Sequence, residues 1–297
     1  MRIVSLTPAA TEIVYALGLG DQLVGRMHAC DHPTDVIDVP VLTSSGRGPA
    51  EPAVDGVLLE RLEPDLVLSD GSEDQPIVDY WEISDLVGAM SRETTLVALA
   101  PHTIEGILNS ISTVGAYAEA EYEAVGLVEQ LRERLGRIDA APVAPPRRVV
   151  VLERLDPLLT SGRWVPEMVR RAGGWDVLGR EGEPSAVTDW ERLREVEPEV
   201  LVLALRATDA AGAEQALARA RLPRWFDELQ AVRGGGFFAV DGHGLFARPG
   251  PRVIEGVAVL AELLEPEVFA DTGPVESWRP LAPVGLADGR RADGPSG

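Results

Sequence analysis

Residues 1–33 read MRIVSLTPAATEIVYALGLGDQLVGRMHACDHP, and this opening decides the fold class. Residues 2–6 form an apolar run short enough for a strand. Thr7 and Pro8 turn the chain, and a helix capped near Thr11 follows. A second short strand, 23–26, runs into a cluster of ligand-type side chains: His28, Cys30, Asp31 and His32. Strand, helix and strand in quick succession predict an α/β fold. Neither a charged n-region nor an apolar h-region precedes the first strand. The expectation is therefore a cytoplasmic protein, or an exported one if the true start lies upstream.

The alternation continues outward. Residues 65–69 and 95–98 read as strands, and 55–62 and 80–90 as helices, with Leu58, Leu59 and Leu62 on one face. From 103 to about 139 the chain has few breakers. Ile104, Ile107, Leu108 and Ile111 keep helical spacing, and so do Val125, Val128, Leu131 and Leu135. Uninterrupted, this helix would be on the order of 50 Å long, with Gly115 and Gly126 as its places to bend or break. A Pro-rich connector at 141–146 follows. The pattern then restarts, with strands at 148–152, 200–205 and 237–240 and helices at 165–172, 190–196, 211–219 and 252–264. EPDLVLS (63–69) and EPEVLVL (197–203) echo one another, each a helix end, a proline stop and a buried strand. The expected organisation is an N-terminal lobe over 1–102, a linking helix and connector over 103–146, a C-terminal lobe over 147–269 and a disordered tail over 270–297.

A chain of 297 residues is long enough for two lobes. No apolar run approaches the roughly 20 residues that span a bilayer, so the chain is not expected to be membrane-embedded. The net charge of −21 repels nucleic acid and anionic membranes, and neither is an expected partner. All 27 basic residues are Arg. The lack of Lys excludes Schiff-base chemistry, a lysine base and a Walker-type phosphate lysine. The single cysteine, Cys30, excludes an intramolecular disulfide and a cysteine-based zinc finger.

Several ordered blocks carry a family resemblance over about residues 2–266. They are SLTPAATEIVYALGLGDQLVG, CDHP, EPDLVLS, LTSGRWVPEMVRRAGGWDVLG, WERLREVEPEVLVL, AVRGGGFFAVDG and RPGPRVIEGVAVLAELL. Together they resemble the cobalamin- and siderophore-binding proteins of ABC importers. The resemblance implies two Rossmann-like lobes linked by a single long helix, with a small-molecule ligand held in the cleft between them. It also implies an ABC permease as partner, docked through one acidic residue on each lobe. The matching positions are Glu73 or Asp74 on the first lobe and Glu191, in Trp190-Glu191-Arg192-Leu193, on the second. The family's cobalamin binder stacks an aromatic on the corrin just after the strand that ends here at Ser69. Asp70, Gly71 and Ser72 occupy that place in this chain, and Trp81 is the next aromatic.

Four constellations carry candidate chemistry. His28, Cys30 and His32 alternate onto one side of an extended segment and form a candidate transition-metal set, with His28 also a candidate ligand contact. The alternative is an edge loop in which Asp31 caps a turn, His32 is exposed and Cys30 is a small buried side chain. Glu153, Arg154 and Asp156 follow a strand, where open α/β sheets place their ligand crevice. There they anchor a polar ligand or form an ion pair between lobes. In Ser161-Gly162-Arg163-Trp164, Arg163 can fork onto an anion and Trp164 can stack on a flat ligand. The alternative is a capping Ser and a packed Trp. Asp241-Gly-His243-Gly-Leu-Phe246-Ala-Arg248 reads as a mobile glycine-rich loop. Phe246 would cover a ligand and Arg248 would reach it. Of the tryptophans, Trp81, Trp164 and Trp190 are cleft candidates and Trp175 a core residue. Pro8, at the first turn, completes the ligand-contact set.

The leading functional reading is binding of cobalamin or a related corrinoid, with no covalently bound cofactor. The alternatives on the same fold are a ferric siderophore, haem or a metal ion, an enzyme using His28, Cys30, Asp31, Glu153 and His243 as acid–base groups, or an interaction module with a filled cleft. No nucleophile elbow or phosphate loop names a reaction, so binding stands ahead of catalysis.

Overall fold

The computed structural model describes residues 1–44, 54–71, 78–141 and 145–285. The chain divides into two compact units. One comprises Met1–Pro101, Glu105–Arg132 and Pro249–Pro251; the other comprises His102–Ile104, Glu133–Arg248 and the residues from Arg252 onward.

The first unit is built on a parallel sheet. Its elements run β1 (Ile3–Ser5), α1 (Pro8–Ala16), β2 (Leu23–Arg26), α2 (Gly56–Leu62), β3 (Leu66–Asp70), α3 (Tyr80–Gly88) and β4 (Thr95–Leu99). The strand order is β2-β1-β3-β4, with every pair parallel. β1 and β3 are almost wholly buried, as central parallel strands covered on both faces must be. Pro8 opens α1 at the first turn, where its missing N–H costs nothing. Asp55 and Asp79 cap α2 and α3 by accepting from the N–H of Leu58 and Trp81.

Two helices follow, α4 (Ile104–Tyr117) and α5 (Glu121–Asp139). This corrects the expectation of one helix over 103–139. The chain breaks at residues 118–120, where Glu119 takes a left-handed φ of 56°. Gly115 marks the contact of the two helices, not a bend within one. A Cβ there would lie 2.4 Å from the Ala124 Cβ. Arg132 and Glu105 pair at the far end, so α4 and α5 form an antiparallel hairpin. Gly126 lies inside α5 with open space where its Cβ would stand. The helix shared by both units is α5, about 28 Å long at 1.5 Å per residue.

The second unit runs β5 (Arg147–Leu155), β6 (Leu158–Thr160), α6 (Val165–Arg171), β7 (Gly174–Asp176), α7 (Trp190–Glu195), β8 (Val200–Leu203), α8 (Ala210–Arg219), α9 (Gln230–Arg233), β9 (Phe237–Val240), α10 (Val253–Leu264) and β10 (Trp278–Pro280). Its sheet has the order β10-β9-β8-β5-β6, with β7 pairing the first half of β5. β5, β8 and β9 are parallel; β6 and β10 are antiparallel additions. The core gathers Val150, Leu152, Leu201, Leu203, Phe226 and Phe237.

The echoed segments are structurally equivalent. Glu63 and Glu197 both end a helix at φ 44°, each ahead of a proline and a buried strand. The tail expectation is corrected over 278–280, since β10 pairs with β9 and Trp278 packs edge-on against Phe238 at 5.8 Å.

Candidate ligand-binding site

In the first unit, the carboxyl ends of β1, β2 and β3 carry the polar residues. Ser5 donates its hydroxyl to the Thr7 carbonyl at 2.9 Å. Thr11 Oγ1 lies 2.8 Å from Ser5 Oγ and 3.0 Å from Cys30 Sγ. Each hydroxyl has one proton. With that of Ser5 spent on Thr7, the Thr11 hydroxyl has three acceptors in reach, Ser5 Oγ, Cys30 Sγ and the Thr7 carbonyl at 3.3 Å.

Arg26 shapes the segment that follows. Its buried guanidinium donates to the carbonyls of Val39, Met27, Cys30 and Ile37 at 3.0–3.2 Å. The His28 N–H and Nδ1 both engage Thr43 Oγ1, at 2.9 and 2.7 Å. His32 and Asp31 are exposed.

The candidate metal set His28, Cys30, His32 therefore does not converge. His28 is held by Thr43, Cys30 is sealed in the core and His32 lies at the surface. Among the described residues no three His, Cys, Asp or Glu side chains gather as metal ligands.

Pro8 is buried at the start of α1 and Asp70 ends β3 half-buried. Beside it, Ser69 Oγ is buried without a hydrogen-bond partner among the described residues. Trp81, in the first turn of α3, is 73% exposed and touches Tyr80 edge-on. Glu73 and Asp74 lie outside the described residues.

In the second unit, the ends of β5, β8 and β9 hold one polar network. Glu153, 6% exposed, accepts from Arg206 Nε at 2.7 Å and from Ser185 Oγ at 2.8 Å, both on Oε2. Arg206 also donates to Ser185 Oγ at 2.8 Å. The Arg206 carbonyl lies 3.2 Å from His243 Nδ1, and Arg248 Nη2 meets His243 Nε2. A carbonyl can only accept and a guanidinium can only donate, so an imidazole with its proton on Nδ1 would satisfy both contacts.

His243 sits in a π-helical turn, Gly242–Phe246, closed by the Asp241 carboxylate on the Gly244 N–H. Gly242 abuts the main chain so closely that a Cβ would lie 2.3 Å from the Ala204 carbonyl carbon.

Trp164 and Phe246 are 5% and 2% exposed, and the indole N–H donates to the Phe246 carbonyl at 2.8 Å. Both rings are packed, where the sequence suggested stacking and ligand cover. Arg163 occupies a left-handed turn at φ 54° and exchanges main-chain bonds with Glu183 and Gly182. Ser161 donates to the buried carboxylate of Asp176, which also accepts the N–H groups of Leu178 and Gly179. Burial pushes the Asp176 carboxyl up against the pull of these bonds.

Two tryptophans depart from the places expected of them. Trp190 anchors α7 to the core edge-on against Phe226. Trp175 is 60% exposed on β7 and lines a pocket of about 630 Å³ with Arg180, Val187 and Arg192. Glu191 is exposed in the first turn of α7. Sequence reasoning missed Arg206, Ser185 and Asp176. Arg206 had a usable signal, since it comes just after a buried strand, a usual place for ligand contacts.

Strand ends that present polar networks beyond a parallel sheet are the usual place for ligands in α/β folds. Residues 3–241 match the periplasmic binding protein family. This chain belongs to that family. A vitamin B12-binding protein of Vibrio parahaemolyticus is 24% identical over 270 residues, covering 89% of each chain. The ABC transporter substrate-binding lipoprotein YvrC of Bacillus subtilis is 29% identical over 282 residues, covering 91% of this chain and 82% of that one.

Two solved structures share the fold. The vitamin B12-binding protein BtuF of Vibrio cholerae aligns with a TM-score of 0.69 at 23% identity, covering 89% of this chain and 96% of its own. A periplasmic heme-binding protein of Pseudomonas aeruginosa aligns with a TM-score of 0.71 at 21% identity, covering 95% of both. Among the described residues of this family member, no helix is long and apolar enough to cross a membrane.

Proposed function

We propose that this binding protein carries a corrinoid, cobalamin or a close relative, and delivers it to an ABC permease. The observation that supports the reading most is the run of relatives named for vitamin B12 that match over nearly the whole chain. The proposed contact residues are Pro8, His28, Asp70 and Trp81 on the first unit, with Arg163 and Arg248 on the second, where the buried Glu153 stands behind the contact surface. Trp81 supplies an exposed aromatic face for a flat macrocycle. Glu191, exposed on α7, is the proposed permease contact on the second unit, and Glu73 its counterpart on the first.

Titration with hydroxocobalamin tests the reading, followed by visible absorbance and by the melting temperature. A shifted corrin spectrum with a raised melting temperature is expected. Haemin and a ferric catecholate siderophore run alongside as competitors. An unchanged corrin spectrum with no thermal protection rejects the corrinoid, and protection by a competitor alone reassigns the ligand.

A further inference from the structure

We infer that Arg206 is the charged residue through which the second unit's strand-end network grips its ligand, and that Glu153 is the positioning residue that aims it. The inference rests on the ligand-binding reading above.

Arg206 stands just past the end of β8, the strand between β5, which carries Glu153, and β9, which leads into the turn of His243. Its side chain is 32% exposed, while that of Glu153 is buried. Oε2 of Glu153 already takes Arg206 Nε and Ser185 Oγ, and Arg206 Nη2 closes on the same oxygen. For Glu153 to meet a ligand through that oxygen, the cluster would have to be dismantled around a buried carboxylate, which is costly.

Arg206 is held at both ends. Its N–H donates to the Glu153 carbonyl at 3.2 Å and its carbonyl faces His243 Nδ1. Its guanidinium is braced by Glu153 and Ser185. A cation fixed in this way loses little freedom on binding. The group it recognises is an oxygen acceptor on the ligand, such as a phosphate, carboxylate or amide carbonyl. His243 completes the brace, its Nδ1 facing the Arg206 carbonyl and its Nε2 facing the Arg248 guanidinium.

Calorimetric titration of hydroxocobalamin into the wild type, Arg206→Lys, Glu153→Gln and the double variant tests this. Arg206→Lys keeps a positive charge opposite Glu153 and removes the planar fork. A loss of at least about tenfold in affinity is expected for Arg206→Lys. A smaller loss is expected for Glu153→Gln, with no further loss when it is added to Arg206→Lys. Wild-type affinity in folded Arg206→Lys overturns the inference while leaving the functional reading intact. A multiplicative loss in the double variant also overturns it, by placing Glu153 on the ligand directly. No binding by the wild type removes both. If Arg206→Lys melts below the assay temperature, Arg206→Gln is read by the same criteria.

Discussion

Trp164 donates its indole N–H to the main-chain carbonyl of Phe246 at 2.8 Å, tying the turn before α6 to the turn after β9. Both side chains are buried. Trp164→Phe keeps an aromatic ring but leaves the carbonyl unpaired, which costs about 1–3 kcal/mol. Urea denaturation should show a lower midpoint with an unchanged slope. A midpoint equal to wild type would mean that the bond contributes nothing.

The Asp176 carboxyl is harder to ionise in the folded chain than in the unfolded one, because burial outweighs the bonds from Ser161, Gly179 and Leu178. Its contribution to stability is therefore complete below the unfolded carboxyl range, near 4, and is lost as pH rises through the folded value. Asp176→Asn removes this dependence. The variant's stability should improve relative to wild type as the pH is raised from about 4 to 7. Parallel stability curves across that window would contradict the sign.

Gly242 and Gly126 should respond to alanine in opposite directions. At Gly242 a Cβ would press on the main chain of Ala204 and Leu205 at 2.3–2.5 Å, so Gly242→Ala should destabilise by about 1–3 kcal/mol. Gly126 is inside α5 with no neighbour within 4 Å. Gly126→Ala should stabilise by up to about 1 kcal/mol. Melting curves of the two variants check both signs.

Cys30 is buried, and its sulfur shares the Thr11–Ser5 hydrogen-bond chain. It should resist a thiol reagent such as DTNB in the native protein and react fully in denaturant. Fast labelling of the folded protein would show that the thiol opens to solvent.

Much of the fold is legible in local pattern. The strand at 237–240 follows from its apolar run, and the helix expected over 190–196 forms as α7. The echo of EPDLVLS and EPEVLVL marks equivalent helix ends. The hairpin of α4 and α5 was hidden because alanines and a glutamate at 118–120 look helical. The left-handed Glu119, the contact at Gly115 and the Arg132–Glu105 pair give the reversal away. β6, β7 and β10 are three residues each and exist through pairing, which leaves little periodicity. The site was less legible. Glu153 could be found as a strand-end acid, but its partners Ser185 and Arg206 lie 32 and 53 residues away in sequence. The His28–His32 cluster reads as a ligand set until Thr43 and Thr11 take two of its members from outside the segment.

β10 is a short strand laid antiparallel along β9, with Trp278 against Phe238 and Pro280 at its end. It shields what would otherwise be the naked border of the second unit's sheet. Trimming the chain at residue 270 would strip that cover and leave β9 able to zip onto a neighbouring molecule. Shortened versions should therefore self-associate, and the segment that looks most dispensable on paper acts as a guard against clumping.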